Sequence, residues 1–304
     1  MQASNDDRIS IKSDGLFVEV ATLGAEMVVL RDGDGRDLLW NGDPAVWSGH
    51  APLLFPIVGA LAGGAYRIGR EVYRLPQHGF ARRSEFSLVE RHSDQATLRL
   101  TESEATRAVY PFPFRLDVTY ALAGSTLSVT ASVTNTGRKP LPFSLGFHPA
   151  FCWPLPYGAE RAAHTLTFDR DETAPVVRPD ADGLLTRPEP NPVIGRTLPL
   201  SDALLAAGAL VFKQTASRRI VYGAPGGPSL VVDFPEMTSL GIWTKPGAGA
   251  PYICIEPWQG YADDARPAGA DQKPADLFAK PGIVEVAPTQ SRSFGFSVTL
   301  AQGG

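Results

Sequence analysis

The chain has 304 residues, 43% hydrophobic and 20% charged, enough for a sizeable core and unlike a disordered or low-complexity protein. Its formal net charge is −4 and its pI is near 5.8, without the basic excess that nucleic-acid binding needs. No run of 18 or more apolar residues marks a membrane span.

Residues 1–10 are polar, include Asp6 and Asp7, and lack the basic start and apolar run of a secretory signal. A soluble, cytoplasmic protein is therefore expected. The two cysteines, Cys152 and Cys254, are far apart and form no CxxC pair. Neither a metal site nor a disulfide framework is indicated, and two reduced thiols are expected.

In chain order, the pattern is β throughout. Thirty glycines and 27 prolines, spread along the chain, read as turns between short strands. Residues 16–20, 27–30 and 38–40 read as a meander, with a turn at Asp32-Gly33-Asp34-Gly35 before its last member. The clearest alternation follows. Leu116, Val118, Tyr120 and Leu122, then Leu127, Val129, Ala131 and Val133, flank a turn at Ala123-Gly124-Ser125 and predict a long antiparallel hairpin with one buried face.

Further strands are expected at 230–232, 240–243, 252–255 and 294–300. Helical periodicity is confined to 203–210 and 273–279, a turn or two each, and the Pro-rich stretches 176–199 and 260–280 read as long loops. One domain spanning residues 1–304 is expected, an all-β sandwich rather than two units joined by a linker.

There is no P-loop, HExxH, GxSxG or strand–GxGxxG–helix unit, so nucleotide chemistry and serine hydrolysis have no support. What stands out is polar residues in apolar or proline-bound settings. His78 follows Leu75-Pro76-Gln77, His148 sits between Phe147 and Pro149, and Glu256 sits between Ile255 and Pro257. The prolines bias both neighbours toward extended backbone and predict that each strand stops there, where side chains can face a shared cleft. A single histidine is more often a hydrogen-bonded structural residue than a catalyst, and His50, His92 and His164 are read that way. Trp258 reads equally as a packing residue or as an aromatic face for a sugar ring.

Five sequence words, taken together, resemble the aldose 1-epimerase (galactose mutarotase-like) superfamily, in particular its bacterial mutarotase-like branch of broad or unassigned sugar specificity. They are APLLFPIVG at 51–59, LPQHGFAR at 75–82, GFHPAF at 146–151, SDAL at 201–204 and CIEPW at 254–258.

The resemblance implies a large antiparallel β-supersandwich whose open cleft binds a monosaccharide. It implies a general acid at His148 and a general base at Glu256, with His78 and Asp202 holding sugar hydroxyls. Arg82 and Trp258 are further candidate substrate contacts. Interconversion of α and β anomers moves only protons, so no cofactor and no metal are expected. The expected partner is a small sugar, with neither nucleic acid nor membrane, and the protein is expected to be a monomer or homodimer.

Relatives commonly carry an arginine after the FPIVG word, where this chain has Ala60. Arg67, Arg70, Arg82 and Arg83 are the candidates to replace it. Two alternatives therefore stay open: an epimerase of hexose 6-phosphates, and a sugar-binding protein without efficient catalysis.

Overall fold

The computed structural model describes residues 8–267 and 273–303. Its longest strands are those with the clearest alternation. Leu116, Val118, Tyr120 and Leu122 are buried along Phe114–Ala123, as are Leu127, Val129, Ala131 and Val133 along Thr126–Asn135. The two strands pair from Thr126↔Ala123 to Asn135↔Phe114, and Gly124 in the turn takes φ 57°, which suits glycine.

This hairpin belongs to a nine-stranded antiparallel sheet. Its order is Thr197–Pro199, Thr165–Phe168, Arg219–Gly223, Ser229–Asp233, Ser291–Ala301, Thr126–Asn135, Phe114–Ala123, Gln95–Thr101 and Ser87–Arg91. Ser291–Ala301, the last strand among the described residues, lies inside that order, bonded to Ser229–Asp233 on one side and Thr126–Asn135 on the other.

A second antiparallel sheet runs Leu210–Phe212, Ser239–Trp243, Tyr252–Gln259, Leu145–Phe147 and Leu53–Leu54, with Ala150–Cys152 also paired to Tyr252–Gln259. One apolar cluster joins the inner faces of both sheets, including Leu116, Val129 and Phe296 from the first and Phe147, Ile253 and Ile255 from the second. The rings of Phe147 and Phe296 meet across it at 4.9 Å. A three-stranded sheet, Arg8–Lys12, Leu16–Ala21 and Met27–Asp32, adds Ile11, Val18 and Leu30 to the same core.

Several expectations are corrected in detail. Residues 38–40 form no strand of the first meander, whose third strand is Arg8–Lys12, although the Leu38 amide still donates to the Leu30 carbonyl at 2.8 Å. Leu39 instead bridges Phe151, and the Trp40 amide donates to the Ala150 carbonyl at 2.8 Å, tying this segment to the second sheet. The helix expected at 203–210 is the single turn Asp202–Leu205, capped by Ser201 Oγ on the Leu204 amide. Of 273–279 only the 3-10 turn Leu277–Ala279 forms.

The helix Glu104–Val109, not anticipated, has a reciprocal cap between Ser103 and Thr106. Residues 176–194 are irregular, held by bridges such as Val177↔Val211 and Pro179↔Leu185. The loop expected at 260–280 lies partly outside the described residues. Among the described residues no helix is long and apolar enough to cross a membrane.

Candidate functional site

The site is built on the strand Tyr252–Gln259. Side chains alternate across a strand, so Ile253 and Ile255 enter the main core while Tyr252, Cys254, Glu256 and Trp258 leave by the opposite face. Both faces are covered, which is why the strand is buried along nearly its whole length. The strand does not stop at Glu256 as its proline suggested; it continues through Pro257 to Gln259.

The reason lies in the neighbouring chain. The Ile255 amide donates to the Pro149 carbonyl, and two-residue alternation turns the nitrogen of Pro257 to that same side. That side carries the strand Leu145–Phe147, which ends at Phe147 opposite Pro257 and is interrupted beyond it, so the proline costs the ladder one bond at a strand end.

That interruption is His148-Pro149. Before it, Leu145 pairs with Gln259 and Gly146 with Trp258; after it, Ala150 pairs with Cys254 and Phe151 with Ile253. The register is the same on both sides of the break, so His148 falls directly opposite Glu256. The side chains meet: His148 Nε2 is 3.1 Å from Glu256 Oε2. On the other flank of Glu256 stands Gly241, and beyond it Val211. Ser239 and Gly146 flank Trp258, with Leu54 beyond Gly146. A Cβ on Gly146 or Gly241 would collide with the indole, so those two glycines let the Trp258 ring lie against the sheet.

The pair is withdrawn from water, with Glu256 2% and His148 9% exposed. Burial pushes the Glu256 carboxyl well above its ordinary range, and burial pulls the His148 imidazole down to about 4. Both shifts oppose charge, and their joint effect is to hold one proton on the pair: removing it leaves a bare buried carboxylate, and adding a second leaves a lone buried imidazolium.

Above this floor is a cleft of about 630 Å³, within the size range of small-ligand sites. His78 and Arg82 line it together with His148, Glu256 and Trp258. His78 is set in a left-handed turn (φ 66°) followed by Gly79 (φ 70°), where a Cβ would strike the Phe55 carbonyl. Two bonds fix it to Gly59: its amide donates to the Gly59 carbonyl at 2.9 Å, and its Nδ1 accepts from the Gly59 amide at 3.0 Å. An Nδ1 that accepts leaves the proton on Nε2, so the ring is neutral and has an N–H to donate. Burial, then the nearby His148 and Arg82, lower its pKa well below the ordinary value and keep it neutral. The His78 and His148 rings stand perpendicular at 6.1 Å. Arg82 donates through Nη2 to the Gln77 carbonyl at 3.0 Å.

Asp202 is placed elsewhere. It begins the Asp202–Leu205 turn, is exposed, and accepts from Arg161 Nη2 at 2.7 Å; it is not among the residues lining the cleft. Arg161 is itself anchored by the carbonyls of Trp153 and Ala250 and by stacking on Trp153. The SDAL word thus marks a capped helix start, and the cleft receives the far end of that turn, Ala206 to Ala209.

Ala60 is buried outside the lining, and a Cβ on Gly183 would come within 3.2 Å of its methyl. Of the four arginines considered as replacements, Arg82 lines the cleft while Arg67 is paired with Asp276. His50, His92 and His164 lie outside it: His50 contacts the Asn41 carbonyl, His92 meets Glu90, and His164 accepts from the Leu155 amide.

The lining residues not singled out from sequence include Trp47, Gln77, Asp180 and Trp243. Trp47 packs on His148 at 5.3 Å and on Trp243 at 5.4 Å, making an aromatic wall beside the His148–Glu256 pair. Gln77 sits in the LPQHGFAR word beside His78 and was open to recognition. No local pattern distinguishes Trp47 or Asp180, which reach the cleft from loops.

Comparisons with known proteins agree with this architecture. Residues 7–282 match the model of the family described as aldose 1-epimerase. The plasmid form of protein LacX from Lactococcus lactis subsp. lactis is 29% identical over 302 residues, covering 96% of this chain and 99% of that protein. The crystal structure of a galactose mutarotase-like protein from Lactobacillus casei ATCC 334 is 29% identical with a TM-score of 0.87, covering 97% of this chain and 100% of that one. The structure of a galactose mutarotase related enzyme from Lactobacillus acidophilus matches at the same identity and TM-score, covering 97% and 98% of the two chains.

Proposed function

The chain belongs to the aldose 1-epimerase family, and from that premise we propose that it is a mutarotase of a free aldose, with Glu256 as general base and His148 as general acid. The observation that carries the reading is the 3.1 Å contact between these two side chains at the bottom of the cleft. Ring opening removes a proton from the C1 hydroxyl and delivers one to the ring oxygen. Those two oxygens are bonded to the same carbon, so the chemistry asks for a base and an acid side by side.

In the reactive form the one proton of the pair is on His148. The Glu256 carboxylate takes the hydroxyl proton as a carbonyl forms at C1, the bond from C1 to the ring oxygen breaks, and His148 protonates that oxygen. Rotation about C1–C2 turns the other face of the aldehyde to the ring hydroxyl. His148 then removes its proton, Glu256 returns one to the new C1 hydroxyl, and the sugar leaves as the opposite anomer. The neutral His78 donates through Nε2 to a sugar oxygen, and Trp47, Trp243 and Trp258 supply apolar faces for C–H groups of the ring.

A free sugar is preferred to a phosphorylated one because Arg82 is the lone arginine or lysine among the lining residues described, and Asp180 also lines the cleft. A phosphate recognised by charge calls for a fork of cations.

The test is anomer equilibration of freshly dissolved α-galactose and α-glucose, followed by polarimetry. Wild type is expected to accelerate it. Glu256→Gln and His148→Asn are each expected to lower kcat by at least about 100-fold, the scale of one positioned acid or base. Acceleration of hexose 6-phosphates alone would move the substrate to the phosphorylated class. Saturable sugar binding without acceleration would make the protein a binding protein.

A further inference from the structure

One donor beside the acid–base pair has no part in the proton transfers. Cys254 lies two residues before Glu256 and leaves the strand by the same face, yet it is fully buried and does not line the cleft. Its Sγ, a ring nitrogen of His148 and a carboxylate oxygen of Glu256 all lie within 4.8 Å of one another. We propose that Cys254, His148 and Glu256 form a binding site for a borderline-soft divalent transition metal, zinc foremost, and that the metal occupying it shuts the cleft to sugar.

The donor set supports this first. Thiolate, imidazole and carboxylate are the three ligand types of zinc sites, and three protein ligands leave a fourth position open. Sulfur and nitrogen donors select against magnesium and calcium, which take oxygen. Geometry supports it next. Ligands about 2.0–2.3 Å from a tetrahedral zinc stand about 3.4–3.6 Å from one another. His148 Nε2 and Glu256 Oε2, at 3.1 Å, are already near that spacing. The sulfur needs to close by roughly 1 Å, a side-chain adjustment that leaves the strands in register.

Charge supports it too. A thiolate, a carboxylate and a neutral imidazole around a dication sum to zero, which suits a site where an unbalanced charge is costly. Binding releases the Cys254 thiol proton and the proton held by the His148–Glu256 pair, and coordination keeps the sulfur ionised where burial alone would not. The metal then occupies the donors that the sugar's O1 and ring oxygen require.

The experiment is a cobalt titration of chelator-treated full-length protein, followed in the ultraviolet and visible, beside zinc inhibition of anomer exchange. One equivalent of Co2+ is expected to give a thiolate-to-cobalt charge-transfer band with tetrahedral d–d bands. Cys152→Ala, which leaves Cys254 as the sole thiol, is expected to retain the band. Cys254→Ala and Cys254→Val are expected to lose it while keeping basal exchange, and to raise the zinc inhibition constant at least about tenfold. Zinc should compete with galactose in wild type.

Cobalt bound without the charge-transfer band, a band that vanishes in Cys152→Ala, or an unchanged zinc inhibition constant in folded Cys254 variants would each overturn the proposal. The inhibition arm rests on the mutarotase reading. The spectral arm does not, so a protein inert toward sugars still reports on the metal site.

Discussion

His148 and Glu256 are each cut off from water, and their shared isolation sets how activity responds to pH. With one proton held by the pair, kcat/KM is expected to be flat across neutral pH. It should fall on the acid side near the lowered His148 value of about 4, as a second proton is added. It should fall on the alkaline side only well above the ordinary carboxylate range, as the last proton leaves. A pH–rate profile breaking near pH 6.5 would instead report a solvated histidine.

The same count applies to folding. Unfolded, Glu256 titrates in the ordinary carboxylate range, and folded well above it, so across that interval the folded chain holds a proton that the unfolded chain has lost. Stability contributed by a raised pKa is present at low pH and lost as pH rises through the folded value. Wild-type stability is therefore expected to fall relative to that of Glu256→Gln between pH 5 and pH 7, because the folded carboxyl titrates well above its ordinary range. Urea midpoints at the two pH values measure the difference.

How far residues could be read from sequence varies with their surroundings. His148, Glu256 and His78 were legible because proline, glycine and apolar neighbours made each of them anomalous. Asp202 falls outside the cleft lining, because a Ser-Asp pair before small apolar residues also suits a helix cap, and Arg161, 41 positions away, holds its carboxylate.

Between residues and sheets, the element that matters is the strand Tyr252–Gln259 with its interrupted neighbour. Identical register before and after His148-Pro149 makes the His148–Glu256 pair a cross-strand contact, and no local pattern announces such a register. The prolines pointed to interruptions at both sites. One occurs at Pro149, while Pro257 stays within its strand opposite Phe147, where the neighbouring strand ends.

Small residues at Gly146 and Gly241 complete the element by giving the Trp258 indole a flat seat. Gly241→Ala is expected to lift that ring into the cleft. With the indole as a proposed sugar contact and not a proton carrier, KM should rise several-fold with kcat changing less. The overpacking should also cost about 1–3 kcal/mol, read as a lower urea midpoint. An unchanged KM would place the indole outside the sugar's reach.

Across the whole molecule, the alternating hairpin at 114–135 was plain in the sequence because one face meets the core and the other does not. The second sheet was harder to read. Its central strand is covered on both faces and reads as a continuous apolar run, and the pairing of distant segments such as Leu53–Leu54 with Leu145–Phe147 leaves no trace in periodicity. The single-domain expectation leads to a test. One apolar cluster draws residues from the three-stranded, six-stranded and nine-stranded sheets, so the sheets should lose their packing together. Far-ultraviolet circular dichroism and tryptophan fluorescence are expected to give coincident urea transitions. Two separated transitions would divide the chain into independently stable units.

The interior position of Ser291–Ala301 governs the order in which a growing chain can assemble. The four strands from Ser87 to Asn135 leave the ribosome early, and the four from Thr165 to Asp233 follow, but neither group bonds to the other. Until the strand that joins them is synthesised, each keeps an unpaired inner edge that would accept a strand from another chain. Until residues 291–301 are made the sheet therefore stays open, and a chain broken off before residue 291 is left with two sticky edges rather than a smaller stable fold.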